Sequence, residues 1–252
     1  MTSSTGSTPH YQAEGGIATI TLRRPAHRNR LHNDDLATLM ALFERIDADR
    51  AIRVVVLTAQ VLPERPVFSA GYNAEEFAGD APPVSFATVV DALERLRPVT
   101  LCALNGSVHG GATDFALACD LAIGVEGMEM RMPAAALGLH YYPSGLARYV
   151  SRLGVNVAKQ AFLTAQALDG PTLLRVGYLQ QLVPAAEFPA QVQRLAATVA
   201  ALAPRDLGQR QLERLQRQRR ERCHRGRQPL HLRREFRRGD ELLQVAHAQQ
   251  RR

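Results

Sequence analysis

Apolar residues recur along the chain with two spacings, and each spacing predicts a different element. Residues 17–22 (IATITL) alternate branched and small side chains and read as a strand. Leu36, Leu39, Met40, Phe43 and Ile46 follow at close to the helical period, with Asn33 or Asp34 available as the cap. Residues 54–58 (VVVLT) form an unbroken apolar run, as expected of a strand buried on both faces. A loop over 59–80, a helix near 84–95 and a second buried strand at 100–104 come next. A glycine-punctuated turn (105–111) leads into a short helix (112–119) and another strand (121–124). Met128, Met130 and Met132 alternate with Glu129 and Arg131, which predicts a strand with one core-facing side. This alternation continues through Val183 and predicts an α/β domain in which a strand-turn-helix unit recurs loosely. After Pro189 the pattern turns helical, with Val192, Leu195, Ala196, Val199 and Leu202 on one face.

Composition narrows the class. The 252 residues are 46% hydrophobic and 22% charged, enough for one large domain and an appendage. No apolar run approaches the roughly 18 residues of a membrane span, so no membrane association is expected. The first residues are small and polar and predict a flexible leader over 1–15, followed by a catalytic body over 16–190 and a helical, Arg-rich region over 191–252. Cys102, Cys119 and Cys223 are odd in number and widely spaced, which favours neither a disulfide framework nor a metal site and fits a cytoplasmic protein. The net charge of +7 is unevenly spread. Residues 205–252 hold fifteen arginines against six acids, so the body is near neutral. Nucleic-acid binding by that tail is the remote alternative; it predicts affinity that falls steeply with salt.

Two turns that follow buried strands carry the candidate chemistry: Phe68-Ser69-Ala70-Gly71-Tyr72-Asn73 and Asn105-Gly106-Ser107-Val108-His109-Gly110-Gly111-Ala112-Thr113-Asp114. Glycines there let the backbone approach a ligand closely, and N–H groups at a helix start attract negative charge. Asp114 follows Gly111 by three residues, which puts a carboxylate one helical turn from that anion site. Spacing alone equally allows two ordinary strand-to-helix turns with Asp114 helping the helix to start.

Over residues 17–205 the landmarks resemble those of the enoyl-CoA hydratase/isomerase (crotonase) family. Arg24-Pro25 with Asn29 and Leu31 is similar to its RPxxxNAL segment, residues 54–58 to its VVVLT strand, and residues 68–72 to its FxAG turn. Residues 97–106 resemble its KPVIAAVNG run, and Gly110-Gly111 with residues 116–120 its GGG…ALACD pattern. Leu163-Thr164, Val176-Gly177-Tyr178 and Leu182-Val183 parallel its later LLTG and GLV segments. The resemblance implies a crotonase-like spiral of repeated β-β-α turns with a C-terminal helical region, assembled as a homotrimer or dimer of trimers. It implies an acyl-CoA thioester substrate, coenzyme A being part of the substrate and no separate cofactor or metal being needed. The oxyanion-hole donors fall on the backbone N–H groups of Tyr72 and Gly111, and the first catalytic acid on Asp114. Arg28 and Arg30 are placed to meet the phosphates, and the backbone of Ser69, Ala70 and Gly71 to accommodate the adenine. Pro133 is followed by Ala134 where hydratases carry a second glutamate. That departure favours isomerase-like or atypical hydratase chemistry, with decarboxylation, thioester hydrolysis or CoA-ester binding without turnover as alternatives. His140 is the candidate for the missing proton transfer, since its unperturbed pKa lies near 6.5.

Overall fold

The structure, a computed structural model, describes residues 6–73, 75–76 and 84–202. All elements below lie in the unit spanning Met1–Arg205. The chain order is β1 (Ser7–Glu14), β2 (Ile17–Arg23), α1 (Asn33–Ala48), β3 (Val54–Ala59), β4 (Val67–Ser69), α2 (Phe86–Arg95), β5 (Val99–Leu104) and β6 (Ser107–His109). Then follow α3 (Thr113–Ala118), β7 (Leu121–Val125), β8 (Glu129–Arg131), α4 (Pro143–Leu153), α5 (Val155–Thr164), β9 (Leu168–Asp169), α6 (Gly170–Arg175), β10 (Gln181–Val183) and α7 (Phe188–Leu202).

Among the described residues ten strands form two sheets, ordered β1-β2-β3-β5-β7-β10 and β4-β6-β8-β9. Within the larger sheet β2, β3, β5, β7 and β10 run parallel, and β1 joins the edge antiparallel to β2. The topology repeats three times. A strand of the large sheet (β3, β5, β7) passes to a strand of the small sheet (β4, β6, β8) and then to a helix (α2, α3, α4). Stacking these β-β-α turns brings the three large-to-small crossovers side by side, and β4 and β8 flank β6.

The core follows the predicted periodicities. Leu36, Leu39, Phe43 and Ile46 of α1 are buried, as are Val54, Val55, Val56 and Leu57 of β3. Met128, Met130 and Met132 are all buried, as alternation with Glu129 and Arg131 requires. Cys102 and Cys119 are free and buried.

Four expectations change. Residues 7–14, expected within a flexible leader, form β1, because their backbone completes the exposed edge of β2. The cap of α1 is His32: its N–H donates to Asp35 Oδ2 at 2.9 Å, where Asn33 or Asp34 had been expected to cap. The 59–80 loop and the 105–111 turn each contain a short strand, β4 and β6, too brief to leave a period-two signature. The expected helical region over 191–252 is described only as far as α7 reaches, and residues 203–252, with Cys223, lie outside the described residues. Among the described residues no helix is long and apolar enough to cross a membrane.

Candidate active site

The first turn is pinned from beneath. Asn29 Oδ1 accepts the Arg24 N–H at 2.8 Å, and its amide donates to the carbonyls of Gln60 at 2.7 Å and Val67 at 3.2 Å. Ser69 Oγ donates to the Asn29 carbonyl at 2.7 Å and accepts the Gly71 N–H at 3.1 Å. Ala70 donates its N–H to the Arg28 carbonyl at 2.8 Å. The N–H groups of Ala70 and Gly71 are therefore engaged inside the protein, and Ser69 is fully buried. Leu31 and Tyr72 form a parallel bridge. In it the Leu31 N–H donates to the Gly71 carbonyl and the Asn73 N–H to the Leu31 carbonyl, each at 2.9 Å. Strand alternation then turns the Tyr72 amide to the side away from Leu31.

The second turn meets the first. Gly71 has φ +88°, and a Cβ there would lie 2.7 Å from Gly111 N and 2.9 Å from the His109 carbonyl. Gly110, at φ +56°, faces the Ala70 carbonyl across the same contact. Gly111 is the middle residue of the 3-10 turn Gly110–Ala112 that opens onto α3. Its N–H belongs to the first turn, which has no earlier intrahelical carbonyl to accept it. Only glycine allows this approach, and it brings the backbone preceding the Tyr72 amide into contact with the backbone that carries the Gly111 amide.

Asp114 sits in the first turn of α3, fully buried. Its Oδ2 accepts from Arg148 Nη1 at 2.6 Å and from the Tyr142 hydroxyl, while Oδ1 is buried with no partner among the described residues. Arg148 Nη2 continues to Asp91 Oδ1 at 2.6 Å and Glu94 Oε2 at 3.3 Å. One guanidinium thus serves three carboxylates. Burial pushes the Asp114 pKa up, the Arg148 charge and the Tyr142 hydrogen bond pull it back, and it settles at about 6. Burial and the Asp114 charge keep the Tyr142 phenol protonated, its pKa raised far above the ordinary value.

Aromatic rings wall this space. Phe86 stands 5.9 Å from the Tyr72 ring, 5.6 Å from Phe115 and 6.0 Å from Tyr142, the last two edge-on. A Cβ on Gly111 would lie 2.8 Å from Phe86 Cζ. The Tyr72 hydroxyl donates to Asn33 Oδ1 at 2.6 Å. Glu76 accepts from Asn33 Nδ2 at 2.6 Å and contacts His32 Nδ1 at 3.0 Å.

The structure brings Ser69, Ala70, Gly71, Tyr72, Gly111 and Asp114 together through adjoining turns. Arg28 is exposed at the edge of the first turn, and Arg30 Nη1 donates to Asn73 Oδ1 at 3.3 Å. His140 is exposed and is not a hydrogen-bonding partner of Asp114. Ala134 is buried, at 7% exposure. Sequence reasoning missed Arg148, Tyr142 and Phe86. Arg148 had a signal, since it shares a buried face of α4 with Gly145, Tyr149 and Leu153, and a charge there needs partners. A cavity of about 940 Å³ lies elsewhere, between the large sheet and α7, lined by Ile17, Val56, Ala103, Phe188 and Val192 among others. Asn105, at the start of the second turn, is its one lining residue from the two glycine turns, and none comes from α3. The buried Asp114 Oδ1, unpartnered among the described residues, lies beside the helix-start amides and offers chemical groups that volume alone does not.

Comparison with known proteins identifies the family. The enoyl-CoA hydratase/isomerase family profile matches residues 12–228. The short-chain-enoyl-CoA hydratase of Clostridium acetobutylicum is 27% identical over 199 residues, covering 77% of this chain and 75% of that protein. The 4-chlorobenzoyl coenzyme A dehalogenase-1 of an Arthrobacter species is 28% identical over 211 residues, covering 79% of this chain and 75% of that protein. The crystal structure of an enoyl-CoA hydratase/isomerase from Pseudoalteromonas atlantica T6c superposes with a TM-score of 0.76 at 24% identity, covering 86% of each chain. The expected α/β architecture of repeated β-β-α turns is the fold of these relatives.

Proposed function

Because the chain belongs to the enoyl-CoA hydratase/isomerase family, we propose that it is an acyl-CoA enzyme that stabilises a thioester enolate between the backbone N–H groups of Tyr72 and Gly111. The observation that carries this reading is the contact between the two glycine turns, where a Cβ on Gly71 would stand 2.7 Å from Gly111 N. Removing a proton beside a thioester puts negative charge on the carbonyl oxygen. Preorganised donors aimed at that oxygen stabilise the transition state more than the ground state. Asp114 is the base. Its pKa of about 6 leaves it ionised at neutral pH yet closer to the substrate's needs than an exposed aspartate. Arg28 and Arg30 hold the phosphates of coenzyme A, and the Ser69-Ala70-Gly71 backbone lines the adenine.

Ala134 cannot transfer a proton, so a water molecule held between two carboxylates is not available, and double-bond isomerisation fits better than hydration. His140 takes no step in this reading, being exposed and off Asp114. Assembly as a homotrimer in the cytoplasm belongs to the same proposal. A second reading, CoA-ester binding without turnover, is favoured by the ion pair that occupies Asp114 Oδ2.

Turnover of 3-enoyl-CoA and 2-enoyl-CoA separates the two readings. The enzymatic one expects 3-enoyl-CoA to be isomerised, with Asp114→Asn slower by about 10²-fold or more. An unchanged rate in Asp114→Asn would remove Asp114 from the mechanism.

A further inference from the structure

The missing second acid leaves an enolate without a defined proton donor, and the aromatic stretch after Ala134 supplies one. Tyr142 is held by three contacts. Its hydroxyl donates to Asp114 Oδ2, its ring meets Phe86 edge-on at 6.0 Å, and the Tyr141 ring lies 4.5 Å away. Phe86 in turn borders Gly111 and faces the Tyr72 ring. The phenol of Tyr142 therefore spans from the carboxylate to the aromatic wall beside both oxyanion residues. Gly145 clears the space for it. A Cβ there would lie 2.8 Å from Asp114 Oδ2 and 2.9 Å from Tyr142 Cζ. Asp114 keeps a second oxygen, Oδ1, buried and unpartnered among the described residues, so one carboxylate can serve Tyr142 and a substrate proton together.

Resting on the acyl-CoA reading above, we propose that Tyr142 is a catalytic residue of this site, the proton donor that completes isomerisation in place of the absent second carboxylate. Asp114 Oδ1 takes the C2 proton of a 3-enoyl-CoA: the C–H bond breaks, an O–H bond forms, and the electron pair passes to the thioester oxygen as a dienolate. Tyr142 then gives its phenolic proton to C4, and the electron pair returns from the oxygen to close the C2–C3 double bond. When the product leaves, water takes the proton from Asp114 Oδ1 and gives one to the tyrosinate, so the hydrogen bond from Tyr142 to Oδ2 re-forms. Both residues end as they began, and nothing is oxidised or reduced. Arg148, 2.6 Å from the same Oδ2, orients the carboxylate throughout.

The test follows two reactions of the full chain in D2O: isomerisation of 3-hexenoyl-CoA, and exchange of the C2 hydrogens of butyryl-CoA, which needs the base and the amides but no C4 donor. Tyr142→Phe keeps the ring contacts and is expected to slow isomerisation about 10²-fold or more beyond whatever loss it causes in exchange, which also feels the lost hydrogen bond to Asp114. Isomerisation near the unmodified rate overturns the assignment. Equal loss of both reactions also overturns it, since Tyr142 would then only position Asp114. Should Tyr142→Phe fail to fold, 3,5-difluorotyrosine at position 142 acidifies the phenol without changing the ring. It is expected to change the rate of isomerisation more than that of exchange, and equal changes or none count against the proposal. If the unmodified chain does neither reaction, the enolate reading itself fails and this assignment falls with it.

Discussion

Gly71→Ala tests the contact on which the site is built. At φ +88° a residue with a Cβ is strained by about 1–3 kcal/mol. The new methyl would also stand 2.7 Å from Gly111 N and 2.9 Å from the His109 carbonyl, both backbone atoms that cannot rotate aside. One turn must move, and its amide leaves the common point. Strain alone lowers the melting temperature by roughly 3–10 °C for a unit of this size. Losing one oxyanion donor raises the barrier by about 3–4 kcal/mol, or roughly 10²–10³ in kcat. Gly127→Ala is the matched control. Gly127 has φ +81° and nothing within 4 Å of the added methyl, so it suffers similar strain without the clash. Thermal denaturation should show a loss in both variants, larger in Gly71→Ala by the cost of the clash, and only Gly71→Ala should lose turnover. Equal kcat in the two variants would refute the argument that the turns are held in register by the missing side chain.

Three more outcomes follow from the buried ionic cluster. Asp114 has its pKa raised from 3.8 to about 6 by burial, so kcat/KM should climb with pH through about 6 and then level, and Asp114→Asn should abolish that limb. The native state holds this proton more tightly than the unfolded chain. The carboxyl therefore contributes stability below about pH 4 that is lost as pH rises to about 6, some 3 kcal/mol in all, measurable by urea unfolding across that range. Arg148→Met leaves Asp114, Asp91 and Glu94 without their shared cation and should cost about 3–5 kcal/mol in the same measurement, with the acidic limb of activity moved upward.

Much of this was legible in the chain. The unbroken run at 54–57 is buried on both faces, and the 3.6-residue spacing from Leu36 to Ile46 is the buried stripe of α1. The glycines marked both turns because a close approach needs a residue without a Cβ, and Gly71 and Gly110 adopt the positive φ that only glycine takes easily. The partners of Asp114 were not legible, since the contact joins α3 to α4 and α2 across 34 and 57 residues of sequence. Tyr142 was readable as part of an aromatic stretch, but its hydroxyl acquires a role only when Gly145 lets it reach the carboxylate. Strand β1 was hidden by its polarity: five of its eight residues are exposed, as an edge strand allows, so it lacks an apolar stripe.

The central claim is that two amides polarise one thioester oxygen, and the carbonyl stretch of a bound acyl-CoA reports this directly. Difference infrared spectra of butyryl-CoA carrying 13C at C1, taken with the full chain and with Gly71→Ala, isolate that band. The account predicts a clear shift to lower wavenumber on binding to the unmodified protein, largely lost in the variant. A bound thioester vibrating at its aqueous frequency would contradict it.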